Sequence, residues 1–246
     1  MKASVSPTTV CFAVLIGLSA ADVRAQDVIV QKDGPRREGQ ILAVKSGQIR
    51  LKVGPAETGV PLANVASVTM SPPKEFTDAL ASWSKGDAAA TLPAVKTLTE
   101  KFPSLPTSWA ERAAALLGEA LLATGDLAGA ETAFANFQKF YPNAGNSADV
   151  GLARLAIEKK DFAAARAKLG PIMEAARKTE IAKPGECAVF GQALYLMGRT
   201  QEAAGENPEA LQSYLLAANL FREDAAVVAK ATDRANALKE KSVIVP

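Results

Sequence analysis

The sequence predicts a mainly α protein: an α-solenoid of about four stacked helical hairpins with a C-terminal capping helix, preceded by a small antiparallel β region or barrel. Three observations predict it. Residues 26 to 71 carry short β-branched runs with a period of two, and beyond Ser71-Pro72-Pro73 the period becomes about 3.6. The second part is rich in Ala, Leu, Glu, Lys and Gln, all good helix formers. Similar turns recur along it, with acidic residues at Asp87, Asp126, Asp161 and Glu206, spaced by 39, 35 and 45 residues.

The chain opens on an address. Lys2 precedes the apolar run from Val10 to Ala20, which is too short for a span of roughly 20 residues. Val23-Arg24-Ala25 then supplies the small residues of a cleavage site. Residues 1–25 therefore read as a secretory signal peptide cut between Ala25 and Gln26. The expected location is periplasmic or secreted, in a bacterium, with no transmembrane segment.

Composition narrows the chemistry. The 246 residues hold 28 Lys and Arg against 26 Asp and Glu, which excludes a strongly basic nucleic-acid binder. There is no histidine, so Ser-His-Asp catalysis and imidazole metal sites are excluded. Cys11 leaves with the leader. Cys187 remains alone and reads as a small apolar residue in a helix, since Glu186 beside it disfavours the thiolate.

Residues 26–71 form the expected β domain. Strands are predicted at Asp27–Gln31, Gln40–Val44, Gln48–Val53, Gly59–Leu62 and Ala66–Met70. In the third, Ile49, Leu51 and Val53 alternate with Arg50 and Lys52. Asp33-Gly34 and Ser46-Gly47 supply hairpin turns. Lys32-Asp33-Gly34, Gly39-Gln40-Ile41-Leu42 and Pro61-Leu62-Ala63-Asn64-Val65 make this region resemble the Sm-like and SH3-like small barrels. That resemblance implies a shape and no activity. A β cap stacked on the helices is the equal alternative. Ser71-Pro72-Pro73 reads as a hinge between separate folding units.

Residues 72–246 form the expected helical domain. Each turn is Lys85-Gly86-Asp87, Thr124-Gly125-Asp126, Lys160-Asp161 or Ala204-Gly205-Glu206. Gly supplies the positive φ that ends one helix, and the acidic residue caps the next. Pro103 and Pro142 close two of the hairpins. Gly170-Pro171 predicts a kink or split in another. Glu223 to Lys241 has no partner hairpin and reads as the polar cap of the stack.

In 111–142 the small residue Gly118, with Ala130, Phe134 and Pro142 after it, resembles the tetratricopeptide repeat family. Gly198, Ala210, Tyr214 and Ala217 fill the same slots in 191–222. The hairpins 146–178 and 72–103 match more loosely, through Ala153, Ala165 and Leu169, and through Gly86 and Pro103. The resemblance implies a stack whose first helices line a concave groove that holds a peptide or protein partner.

Helical spacing from the packing slots then puts Phe76, Leu80 and Trp83 on that face in the first hairpin. Arg112, Glu119 and Leu122 follow in the second, Val150, Arg154 and Ile157 in the third, and Tyr195, Arg199 and Glu202 in the fourth. Trp83 and Trp109 read as packing between units. No phosphate loop, metal cluster or acid–base pair of recognisable spacing occurs. The expected function is a non-enzymatic scaffold or adaptor without catalytic residue, cofactor or metal. The alternative is an accessory subunit of an outer-membrane or peptidoglycan assembly machine.

Overall fold

The computed structural model describes residues 26–144, 146–179, 181 and 185–245. The expected signal peptide, residues 1–25, lies outside them, as does most of the connection after Thr179.

Five strands come first: β1 (Asp27–Gln31), β2 (Arg36–Lys45), β3 (Gln48–Val53), β4 (Ala56–Pro61) and β5 (Val65–Thr69). They form one antiparallel sheet in the order β4-β3-β2-β1-β5. β2 and β4 start earlier than predicted. Arg36, Arg37 and Glu38 are exposed, as are Ala56 and Glu57, so neither stretch shows an apolar alternation.

The sheet must curl. Laid flat, four inter-strand steps of ~4.8 Å would set β4 and β5 ~19 Å apart. The chain from Pro61 to Val65 spans at most ~15 Å, and the 3-10 turn Leu62–Asn64 shortens it further. β2 supplies the bend. Its first half pairs with β1 and its second half with β3, and the register shifts between Ile41 and Ala43.

Nine helices follow among the described residues: α1 (Lys74–Ser84), α2 (Ala88–Lys101), α3 (Ser108–Ala123), α4 (Leu127–Phe140), α5 (Ser147–Glu158), α6 (Phe162–Lys178), α7 (Glu186–Ala203), α8 (Asn207–Asn219) and α9 (Ala225–Glu240). The predicted turns fall between α1–α2, α3–α4, α5–α6 and α7–α8. Gly86, Gly125, Lys160 and Gly205 all have φ between 60° and 85°. Asp87, Asp126 and Asp161 each cap the next helix, accepting from the backbone N–H of Ala90, Gly129 and Ala164. Glu206 makes no such bond. Its longer side chain instead takes a 2.6 Å bond from Arg166.

Small residues let each pair close up. A Cβ on Gly118 would stand 2.5 Å from Phe134 Cε1, and one on Gly198 would stand 2.5 Å from Tyr214 Cε1. Gly151 of α5 faces the same Phe134 ring, so that ring wedges α4 against two neighbours. The break expected at Pro171 does not split α6, which runs through it as one helix. Gly170 carries no Cβ to meet the proline ring, which removes that part of the usual clash.

Each pair packs internally, and the first helices also pack in a row: α3 on α5, α5 on α7, α7 on α9. No comparable contact joins α2 to α4, α4 to α6 or α6 to α8. The first-helix row is therefore the tighter one, and an array built this way curves towards it.

The sheet and the first helices share one core. Ile29, Ile41, Ile49 and Leu51 cluster with Phe76, Leu98, Phe102, Leu105 and Trp109. Trp109 lies 5.4 Å edge-on from Phe102 and 6.1 Å from Phe76. The curled sheet thus also covers one end of the helical stack, and α9 covers the other. A hinge between separate units at Ser71–Pro73 does not anticipate this shared core.

Candidate functional site

The first-helix face carries a chain of ion pairs. Arg112 bonds Glu119 at 3.1 Å along α3. Arg199 of α7 reaches Glu158 of α5 at 3.2 Å, and Arg234 of α9 reaches Glu202 of α7 at 3.4 Å. These last two pairs tie consecutive first helices together. Glu202 also accepts a 2.8 Å bond from the buried Tyr214 hydroxyl. Burial pushes the Tyr214 phenol well above its usual range, and the Glu202 carboxylate adds to it. The phenol therefore stays a donor at every physiological pH.

Arg154 stands apart. It lies one turn before Glu158 on α5 and is half-buried. It makes no hydrogen bond or ion pair among the described residues, while Arg112, Arg199 and Arg234 each hold a carboxylate. Beyond it, at the level of Glu158, a shallow depression of about 480 Å³ opens between α5, α6, α7 and α9, and Arg154 is not part of its lining. Glu158, Arg199, Glu202 and Arg234 line it, with Phe162 and Ile157 as its apolar part.

The structure brings some predicted residues to this face and withdraws others. Arg112, Glu119, Arg154, Arg199 and Glu202 keep part of their surface. Leu122, Val150 and Ile157 are withdrawn, being only 9%, 3% and 5% exposed, and of the three only Ile157 shows an edge in the depression. Leu122 packs with Phe134 and Leu155, and Val150 and Ile157 join the core under α5 and α7. The reason is crowding: a first helix meets its own second helix, the preceding second helix and the next first helix, so only a narrow stripe stays open. Phe76 is likewise buried. Leu80 and Trp83 pack on Ala79, Val95 and Leu116. Tyr195 leans on Tyr214, with ring centroids 5.9 Å apart.

Glu158 and Arg234 complete the cluster and escaped the sequence reading. Glu158 lies four residues beyond Arg154, so its spacing could have found it. Arg234 sits on the helix assigned only a capping role, and no local signal relates it to Glu202.

A second concavity escaped it entirely. A cleft of about 1510 Å³ separates the open side of the sheet from α1 and α2. Ile41, Met70, Leu98 and the exposed Val53 form its apolar floor. Asp27 lies at its edge and accepts a 2.8 Å bond from the Ile41 N–H. Burial raises the Asp27 carboxyl above its usual range, against the lowering effect of that bond. Lysines and carboxylates are mixed around the rim, so no single ligand charge is favoured.

Cys187 stands half-buried at the start of α7. Burial pushes its thiol up, and the carboxylates of Glu223 and Glu186 push it further. Thiolate chemistry is therefore disfavoured at neutral pH. Among the described residues no group of three or more His, Cys, Asp or Glu side chains could hold a metal ion. No helix among them is long and apolar enough to cross a membrane.

No protein-family model matches this chain, and no curated protein matches it. Among solved structures, a chain described as the MamA RS-1 ArsTM double mutant is similar at 15% identity and a TM-score of 0.40. The match covers 70% of this chain and 98% of that one. At that identity and score the likeness carries no conclusion about fold or function.

Proposed function

We propose that this protein is a non-enzymatic interaction scaffold of the bacterial envelope, with a tetratricopeptide-like stack that holds a peptide or protein partner along its first-helix face. The turn chemistry and the Gly118–Phe134 and Gly198–Tyr214 contacts support the family reading. Export rests on the leader at residues 1–25.

One observation carries the binding reading. Among the described residues Arg154 is an unpaired guanidinium, on a face where the neighbouring arginines are neutralised by partners within the chain. A half-buried cation without a counter-ion favours an incoming carboxylate, and Arg suits two-point recognition of that group. The depression about one turn further along α5 offers Phe162 to an apolar side chain of the same segment. A partner with an acidic residue next to an apolar one fits this pattern.

The test is in-cell cross-linking of the exported protein, comparing the wild type with Arg154→Ala and Arg199→Ala. Captured partners should be lost from Arg154→Ala while its melting temperature hardly moves. Arg199→Ala should weaken capture less, because Arg199 already serves Glu158. Full capture by Arg154→Ala would remove this face from the proposal.

A further inference from the structure

The sheet has two edges, and they differ. β5 is bulged against β1, with a register shift at Val30/Gln31. β4 runs six residues against β3 without a shift, and no other strand pairs with it among the described residues. It is lightly guarded for an exposed edge: Glu57 is its one charged residue, it contains no Lys and no bulge, and its only proline is the terminal Pro61.

The backbone alternation shows what this edge offers. The Leu62 N–H donates to Gly47 O at 2.8 Å. Counting back in twos, Val60, Thr58 and Ala56 turn their backbone groups towards β3. Glu57 and Gly59 turn theirs outward, each with a free N–H and C=O.

The side chains follow the same order. Val60 is buried on the core face, and Thr58 and Ala56 share that face. Glu57 and Gly59 lie on the other face with Arg50, which stands directly across from Gly59. Arg50 bonds Glu57 diagonally at 2.7 Å. A glycine at an exposed mid-strand position weakens a strand. Its φ is ordinary, but the Gln48 carboxamide lies across it beside the Arg50 guanidinium, so that a Cβ there would push the end of Gln48 aside.

We propose that β4 is a self-association surface. Two copies pair their β4 strands antiparallel about Thr58, joining the two sheets into one. In that register Glu57 of each copy faces Gly59 of the other, and the two outward pairs exchange four backbone hydrogen bonds. With no side chain at Gly59, and with the flexible Gln48 side chain turned aside, the Glu57 carboxylate of one copy reaches across it to Arg50 of the other. The result is a ring of two arginines and two glutamates on one face. On the other face Thr58 meets Thr58, a favourable cross-strand pair, and Ala56 meets Val60. A second copy fits this edge better than an unrelated strand because charge and register are complementary to themselves. The surface is independent of the first-helix face.

Analytical ultracentrifugation of the full chain over a concentration series tests this. The wild type should sediment as a monomer–dimer equilibrium. Gly59→Pro removes an outward donor and no bond to β3, and should weaken dimerisation at least tenfold. Glu57→Lys sets like charges across the interface and should do the same. Adding Arg50→Glu to Glu57→Lys restores opposite charges and should restore the dimer. The charge pair keeps the test open should Gly59→Pro fail to fold. A wild type that stays monomeric throughout, assembles beyond a dimer, or dimerises equally well with Glu57→Lys would overturn the proposal.

Discussion

Phe134 occupies the space that Gly118 leaves open, with its Cε1 atom 2.5 Å from where a Cβ would stand. Both residues are buried, and Gly151 of the next hairpin presses on the same ring edge. The contact sets the spacing of α3, α4 and α5 together.

Gly118→Ala should therefore cost about 1–3 kcal/mol through overpacking. Phe134→Leu should recover part of that loss in the double variant, since it frees the ring edge. Urea denaturation of the four members of the cycle measures the coupling. Additive losses would mean that the two residues do not define this spacing.

The helix caps make a graded prediction. Asp87→Ala, Asp126→Ala and Asp161→Ala should each cost about 1 kcal/mol, because each removes a cap bond. Glu206→Ala loses no cap bond and only a half-exposed ion pair with Arg166. It should cost roughly 0–1 kcal/mol. Equal losses at all four positions would contradict the geometry.

Buried and exposed members of the first-helix face should separate cleanly. Val150→Ala and Ile157→Ala should cost about 1–4 kcal/mol, as large-to-small changes in a packed interior. Arg154→Ala should stay within about 0.5 kcal/mol. Thermal unfolding of the three variants checks this.

The shared core predicts one cooperative transition for sheet and helices. Far-ultraviolet circular dichroism and Trp109 fluorescence, read in a Trp83→Phe background, should report the same midpoint, because Trp109 of α3 packs in the core that the sheet shares with α1 and α2. A 73–246 fragment would expose Phe76, Leu98, Phe102 and Trp109 and should melt well below the whole chain. A fragment as stable as the whole chain would restore the hinge reading of Ser71–Pro73.

Asp27 gives a pH signature. Its folded carboxyl is raised, so the folded state holds the proton more tightly than the unfolded chain. The stability tied to this proton is fully present below the ordinary carboxylate range. It is lost as pH rises through the raised folded value. Asp27→Asn keeps an acceptor for the Ile41 N–H and carries no charge. The variant should therefore gain on the wild type as pH rises from about 4 to 7 and show no relative gain at lower pH. Denaturation at a series of pH values reads this directly.

The sequence by itself determined the local parts of this protein. Turns at Gly86, Gly125, Lys160 and Gly205, caps at Asp87, Asp126 and Asp161, and the slots of Gly118 and Gly198 were all legible in it. Each depends on residues a few positions apart, or on one hairpin folding back on itself. The tertiary structure alone decided which side chains stay free. Glu158 and Arg199 are 41 residues apart, and Glu202 and Arg234 are 32 apart. Their pairing follows from the row of first helices, and that row also buries Leu122, Val150 and Ile157. The cleft and the shared core arise where a curled sheet docks on α1–α3. Periodicity tells which face of an element is apolar. It does not tell which neighbour covers that face, because burial is set by packing between elements whose contacts no short stretch of sequence contains.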